Sequence, residues 1–145
     1  MNFKNLFGFS RTKATGKSHI KNLTEMAQCD CHVAAEEHYL LQTIAKTLGI
    51  SLAQVDGIQK NLSAVEFEIP ADSRSKFHQL YDLVQMMLAD KVLHVEEMKL
   101  CYQLVSKFGY PPHSATELIK LITTNIQNGQ GQDETMQRVT FALKF

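Results

Sequence analysis

The sequence predicts an all-α protein, a single domain of about seven helices made of two tandem copies of one helical unit. Three observations carry this. Apolar residues recur at i, i+3, i+4 and i+7 along most of the chain. The chain matches itself without gaps at a shift of 60 residues. Its composition, 145 residues with 44% hydrophobic and 21% charged, is that of an ordinary domain with enough chain to bury a core. Such a composition argues against disorder. No apolar run approaches the roughly 18 residues of a membrane-spanning helix. A net charge of zero argues against a globally basic nucleic-acid binder, so no nucleic-acid partner is expected.

The chain opens with a basic arm, assigned to residues 1–17 ahead of a helical domain over 18–145. Lys4, Arg11, Lys13, Lys17 and Lys21 give the first 21 residues a charge of +5 with no acid, and leave −5 on the remainder. Phe3, Leu6 and Phe7 fall at helical spacing, so residues 1–21 are a candidate for weak contact with an anionic membrane surface. The favoured expectation is an irregular tail that packs a Phe or two on the body. The segment lacks the apolar core of a secretory signal.

The first copy covers about 18–62. Gly49 ends its second helix, because glycine accepts the left-handed conformation at low cost, and Ser51 caps a shorter helix after it. Ile69-Pro70-Ala71-Asp72-Ser73 separates the copies. The second copy covers about 73–128. Phe77, Leu80, Tyr81, Leu83, Val84, Met87 and Leu88 form one stripe, and Leu93, Met98, Leu100, Cys101, Leu104, Val105 and Phe108 a second. Gly109 ends that helix, and Pro111 and Pro112 forbid its continuation. Ser114 with Glu117 makes a capping-box pattern for a helix over 115–128. Asn128-Gly129-Gln130-Gly131 reads as a loop. The last stretch, about 133–144, is read as a helix capped by Asp133. Its alternation of Val139, Phe141, Leu143 and Phe145 would suit a strand equally.

Under the 60-residue shift Leu23 meets Leu83, Met26 meets Met86, Asp30 meets Asp90, and Glu36 and Glu37 meet Glu96 and Glu97. Leu40 meets Leu100 and Gly49 meets Gly109, so seven of 28 positions are identical, and they fall on charge, glycine and core positions. That placement points to a repeated structural unit. Neither copy can bury its apolar stripes alone, hence one domain.

Each copy carries an acidic hinge between its first two helices. The hinges read Asp30-Cys31-His32-Val33-Ala34-Ala35-Glu36-Glu37 and Asp90-Lys91-Val92-Leu93-His94-Val95-Glu96-Glu97. Capping is the leading reading, since Glu in a first helical turn is favoured by the helix dipole and its free N–H groups. The second reading is a divalent cation held by oxygen ligands, with Asp30, Glu37, Asp90 and Glu97 as the candidate metal ligands. His94 is a further candidate beside Asp90 and Glu97. The spacing is not that of an EF-hand, which needs a loop of about 12 residues with a central Gly.

The pattern Asp-x-x-apolar-x-x-x-Glu, set between helical stripes and followed about twelve residues later by Gly, resembles the TerB-like family. The second copy, Phe77 to Asp90, then Glu97 and Phe108-Gly109-Tyr110, is the closer match. The resemblance covers about residues 20–128. It implies an all-helical fold built from a duplicated unit. The family includes bacterial tellurite-resistance proteins and the amino-terminal region of a membrane-attached DnaJ-like co-chaperone. Its acidic positions, considered for metal binding, carry over as Asp30, Glu37, Asp90 and Glu97. The chain departs from the family where Cys31 and Lys91 replace a Gly after the Asp, and where Ala34 and His94 replace a Ser or Thr cap.

Three cysteines, Cys29, Cys31 and Cys101, make no disulfide framework and suit a reducing cytosol. Cys29-Asp30-Cys31-His32 lacks the second Cys pair of a structural zinc site. Met86, Met87 and Met98 read as core, and His38 as a surface residue. No nucleophile has an evident base, and no phosphate-binding loop or His-Glu-x-x-His is present. The expectation is a non-enzymatic, cytoplasmic interaction module with no certain cofactor. It would present its acidic hinges to a partner protein. The alternatives are a metal-binding or tellurite/stress-response protein and a membrane-peripheral adaptor.

Overall fold

The computed structural model describes residues 3–29, 35–89, 91 and 94–145, with side chains described from residue 13 onward. Among them are seven α-helices and no strand: α1 (Phe3–Gln28), α2 (Ala35–Thr47), α3 (Leu52–Lys60), α4 (Ser73–Leu88), α5 (Val95–Lys107), α6 (Ala115–Gln127) and α7 (Gln132–Leu143). Short 3-10 turns lie at Leu62–Ala64 and Pro112–Ser114. The all-α prediction holds. Helix α2 starts and ends 60 residues before α5, and α1 ends 60 before α4, but α3 and α6 do not keep that spacing.

Helix α4 sits in the middle and packs on α1, α2, α5, α6 and α7. Gln79 to Val84 are buried without a break. At about 100° per residue, six consecutive positions cover every face of a helix, so α4 has no solvent side over that stretch. Leu23 and Met26 of α1, Leu80 and Leu83 of α4, Leu104 of α5, Leu118 and Ile122 of α6 and Val139 of α7 belong to one core. Met86 and Met87 are buried in it and Met98 packs against it, as expected.

The arm is corrected. Helix α1 runs from Phe3 to Gln28 with no break at residue 17, in place of an irregular tail. No proline interrupts the segment, and its second half is anchored: Thr15, Ser18, His19 and Asn22 are buried beside Ile20, Leu23 and Met26. Once that half is fixed, each preceding residue adds a helical hydrogen bond without a new nucleation cost. Lys21 is tied to the body, its Nζ donating to the Val65 carbonyl at 2.8 Å. The side chains of Phe3, Leu6 and Phe7 lie outside the described residues.

Both helix-ending glycines do what the sequence asks of them. Gly49 has φ +72° and Gly109 φ +88°. The following amides close back on the helices, Ile50 N–H on the Ala45 carbonyl at 2.9 Å and Tyr110 N–H on the Val105 carbonyl at 3.2 Å. This is the Schellman closure.

The two serine caps part company. Ser51 makes a full capping box: Gln54 N–H donates to Ser51 Oγ, and Ser51 N–H donates to Gln54 Oε1 at 2.9 Å. Ser114 makes no side-chain cap, because it ends the Pro112–Ser114 turn with ψ −5°, already helical rather than extended. Ser51→Ala is therefore expected to cost about 1 kcal/mol in chemical denaturation. Ser114→Ala should stay within about 0.5 kcal/mol; equal losses would contradict this assignment.

The last segment is helical, and burial explains why. Thr135 and Val139 point inward four residues apart, whereas Phe141 is 88% exposed. A strand would have placed Val139 and Phe141 on one face. Asp133 is not the cap expected of it. Gly131 holds the N-cap position, and Asp133 lies in the first turn with its side chain turned to α4.

Candidate functional site: a cleft between four helices

The hinges come first. Asp30, Asp90, Cys31, His32, Val33, Ala34, Val92 and Leu93 lie outside the described residues. Glu36 and Glu37 open α2, and Glu96 and Glu97 open α5, as predicted. Their side chains divide. Glu36 and Glu96 are exposed, but Glu37 and Glu97 are each only 1% exposed. Both buried residues are engaged by their surroundings, as a carboxylate at that depth must be. The expectation of a surface built from all the hinge acids is thus corrected at these two positions. His94 Nε2 lies 3.6 Å from Glu97 Oε1. Among the described residues no three His, Cys, Asp or Glu side chains are grouped to hold a metal ion. Cys101 is buried, which pushes its thiol up to about 12 and leaves it inert as a nucleophile.

A second polar cluster lies where α1, α4 and α7 meet, and the sequence reading did not single it out. His19 Nε2 on α1 lies 2.9 Å from Asp82 Oδ2 on α4. Gln132 at the start of α7 donates its amide to Asp82 Oδ1 at 2.7 Å. The His19 side chain is 1% exposed and that of Asp82 12%. One turn back on α4, Gln79 donates to the Thr15 carbonyl at 3.3 Å. Among the described residues His19 Nδ1 and Gln79 Oε1 have no hydrogen-bond partner.

These residues wall a cavity of about 310 Å³. Thr15, Gly16 and His19 come from α1, and Ser75, His78, Gln79 and Asp82 from α4. Helical spacing puts each set on one face. Ile44, Thr47 and Leu48 from the end of α2, with Pro70, form an opposite and more apolar wall, and Gln132 closes the end. Gly16 is conspicuous as a glycine inside a helix. A Cβ there would meet Ile50 Cδ1 at 3.5 Å, an ordinary contact, so the close packing of α1 does not demand glycine.

At the rim, Asp133 binds α7 to α4. Arg74 donates to both its oxygens, at 3.1 and 3.0 Å, and His78 Nε2 lies 2.9 Å from Oδ1. The Arg74 guanidinium and then His78 hold the Asp133 carboxyl down, at about 2. Its pKa is lower in the folded than in the unfolded chain, so its stabilisation is present above pH 4 and is lost as the pH falls towards 2. Asp133→Asn should therefore flatten the acid side of a plot of Tm against pH between 4 and 2. An unchanged profile would remove the clamp from the account. On the far side of α4, Tyr81 donates to the Gln130 carbonyl at 2.8 Å and orders the turn into α7. Burial, and then the neighbouring Asp82 charge, raises its phenol.

Two signals in the sequence mark this cluster. Asp82 interrupts the apolar stripe of α4 between Tyr81 and Leu83, and His19 shares a polar row with Thr15 and Asn22 beside Leu23 and Met26. Fold and cluster together define a small all-helical protein with a buried carboxylate-histidine pair at a cleft. Comparisons with protein-family models, with curated proteins and with solved structures find no match for the chain. Among the described residues no helix is long and apolar enough to cross a membrane.

Proposed function

We propose that this chain is a non-enzymatic helical binding module, TerB-like in its organisation, and that it binds at the cleft between α1, α2, α4 and α7. The observation that carries the reading is a buried ionisable pair, His19 and Asp82, on the wall of a cavity of about 310 Å³. Burying a carboxylate costs several kcal/mol. A purely structural network recovers that cost by satisfying all of its polar atoms. Here two polar atoms of residues that line the cavity, His19 Nδ1 and Gln79 Oε1, go without partners among the described residues. Unsatisfied buried groups next to a cavity at the lower end of the ligand-pocket range fit a binding site better than a core defect.

The test is an amide NMR titration of the full chain with a fragment library. Binding at the cleft moves resonances of Gln79, Asp82 and Gln132 together. Shifts confined to the hinges, around Glu36 and Glu96, would overturn the assignment in favour of a partner at the acidic surface.

A further inference from the structure

We propose that the cleft takes a small organic cation, an ammonium or guanidinium group on a short apolar body. The inference rests on the cleft being a binding site and adds the class of its ligand.

Charge is the first argument. Asp82 is paired only with the His19 ring and the Gln132 amide, and among the described residues no Lys or Arg reaches it. The cation on the neighbouring face of α4, Arg74, is committed to Asp133 through both of its hydrogen bonds. His78 is directed to the same carboxylate. The rim therefore neutralises itself, and among the described residues it leaves no Lys or Arg to pair with the Asp82 carboxylate on the floor.

Hydrogen-bonding capacity is the second. The Gln79 amide nitrogen already donates to the Thr15 carbonyl, which leaves its Oε1 as an acceptor. Each Asp82 oxygen has one partner and a second lone pair. The open capacity of the floor lies at the Asp82 carboxylate, whose side chain keeps 12% exposure, and is thus acceptor in kind. An ammonium brings three donors and no acceptor, and a guanidinium five. Water supplies donors without neutralising the carboxylate. An anion would add repulsion.

Shape is the third argument. Ile44, Leu48 and Pro70 offer an apolar wall facing the polar floor, and about 310 Å³ accommodates a head group with a few carbons. A bare metal ion fits less well. His19 Nε2 is already turned to Asp82, and the described residues assemble no group of three ligands.

The experiment titrates the full chain with n-butylammonium and n-butylguanidinium at neutral pH. The neutral n-pentanol and the anionic pentanoate serve as matched probes. Calorimetry gives affinity, and amide NMR locates the site. Saturable binding of the two cations is expected, with shifts at Gln79, Asp82 and Gln132. Asp82→Asn should weaken it by about tenfold or more, as loss of one charge-assisted contact implies. Thr47→Lys, at an exposed position on the cleft wall where the fold survives, should weaken it by about threefold or more through like charge. Equal or tighter binding of pentanol or pentanoate at the same residues overturns the cation inference and leaves the binding site standing. Cation binding that neither variant alters overturns it too. The absence of cleft shifts with all four probes overturns the inference together with the binding site beneath it.

Discussion

Asp82→Ala is expected to lower the free energy of unfolding by about 3 kcal/mol at neutral pH. The substitution removes the acceptor for two donors at once, the buried His19 ring and the half-buried Gln132 amide. His19 is shut off from water at 1% exposure, so its N–H finds no replacement. The Asp82 side chain keeps 12% exposure, which holds the loss below the top of the range for buried pairs. Urea denaturation measures the loss, and a double-mutant cycle with His19→Ala apportions it. A change under about 1 kcal/mol would mean that the pair does not organise the contact between α1 and α4.

Phe108→Ala should be the more severe change, about 3–5 kcal/mol. Phe108 is 2% exposed and closes α5 against the core. Its ring lies 6.0 Å from that of Phe67, in the segment between the two halves. Truncation leaves a cavity that helices on several sides cannot collapse to fill. For a chain of this size the loss corresponds to a fall in Tm of about 10 °C or more. Phe141→Ala is the control. At 88% exposure it should change stability by less than about 0.5 kcal/mol. Similar losses for the two would show that burial is misassigned at one of them.

The helices were legible because their signals are local. Apolar spacing marked α4 and α5, and Gly49 and Gly109 marked two ends, since a left-handed C′ residue is recognisable from its type alone. The Ser51 cap was legible for the same reason. Ser114 failed by the same logic. It carries the right residue in the right order, but Pro111 and Pro112 lead into a 3-10 turn that leaves Ser114 with helical dihedrals, from which its hydroxyl makes no cap. Asp133 failed through competition, because Arg74 and His78, more than fifty positions away, draw its carboxylate across to α4.

The hinge acids show how far a motif reaches. Glu36 and Glu37 are adjacent and alike in sequence, yet one is exposed and the other is 1% exposed. The same split recurs at Glu96 and Glu97. Neighbouring helical residues point about 100° apart, so which of two acids is buried depends on the face that the rest of the protein covers.

By itself, then, the sequence determined the helical class, the order of the helices and two glycine-terminated ends. These follow from interactions within one or two helical turns, which residue type encodes directly. Only the tertiary structure decided that α1 runs unbroken through the basic arm, and that His19, Asp82 and Gln132 converge on one cleft. Those contacts join residues 50 and 63 positions apart. Their existence depends on how helices pack and turn about their axes, a property of the whole core rather than of any segment.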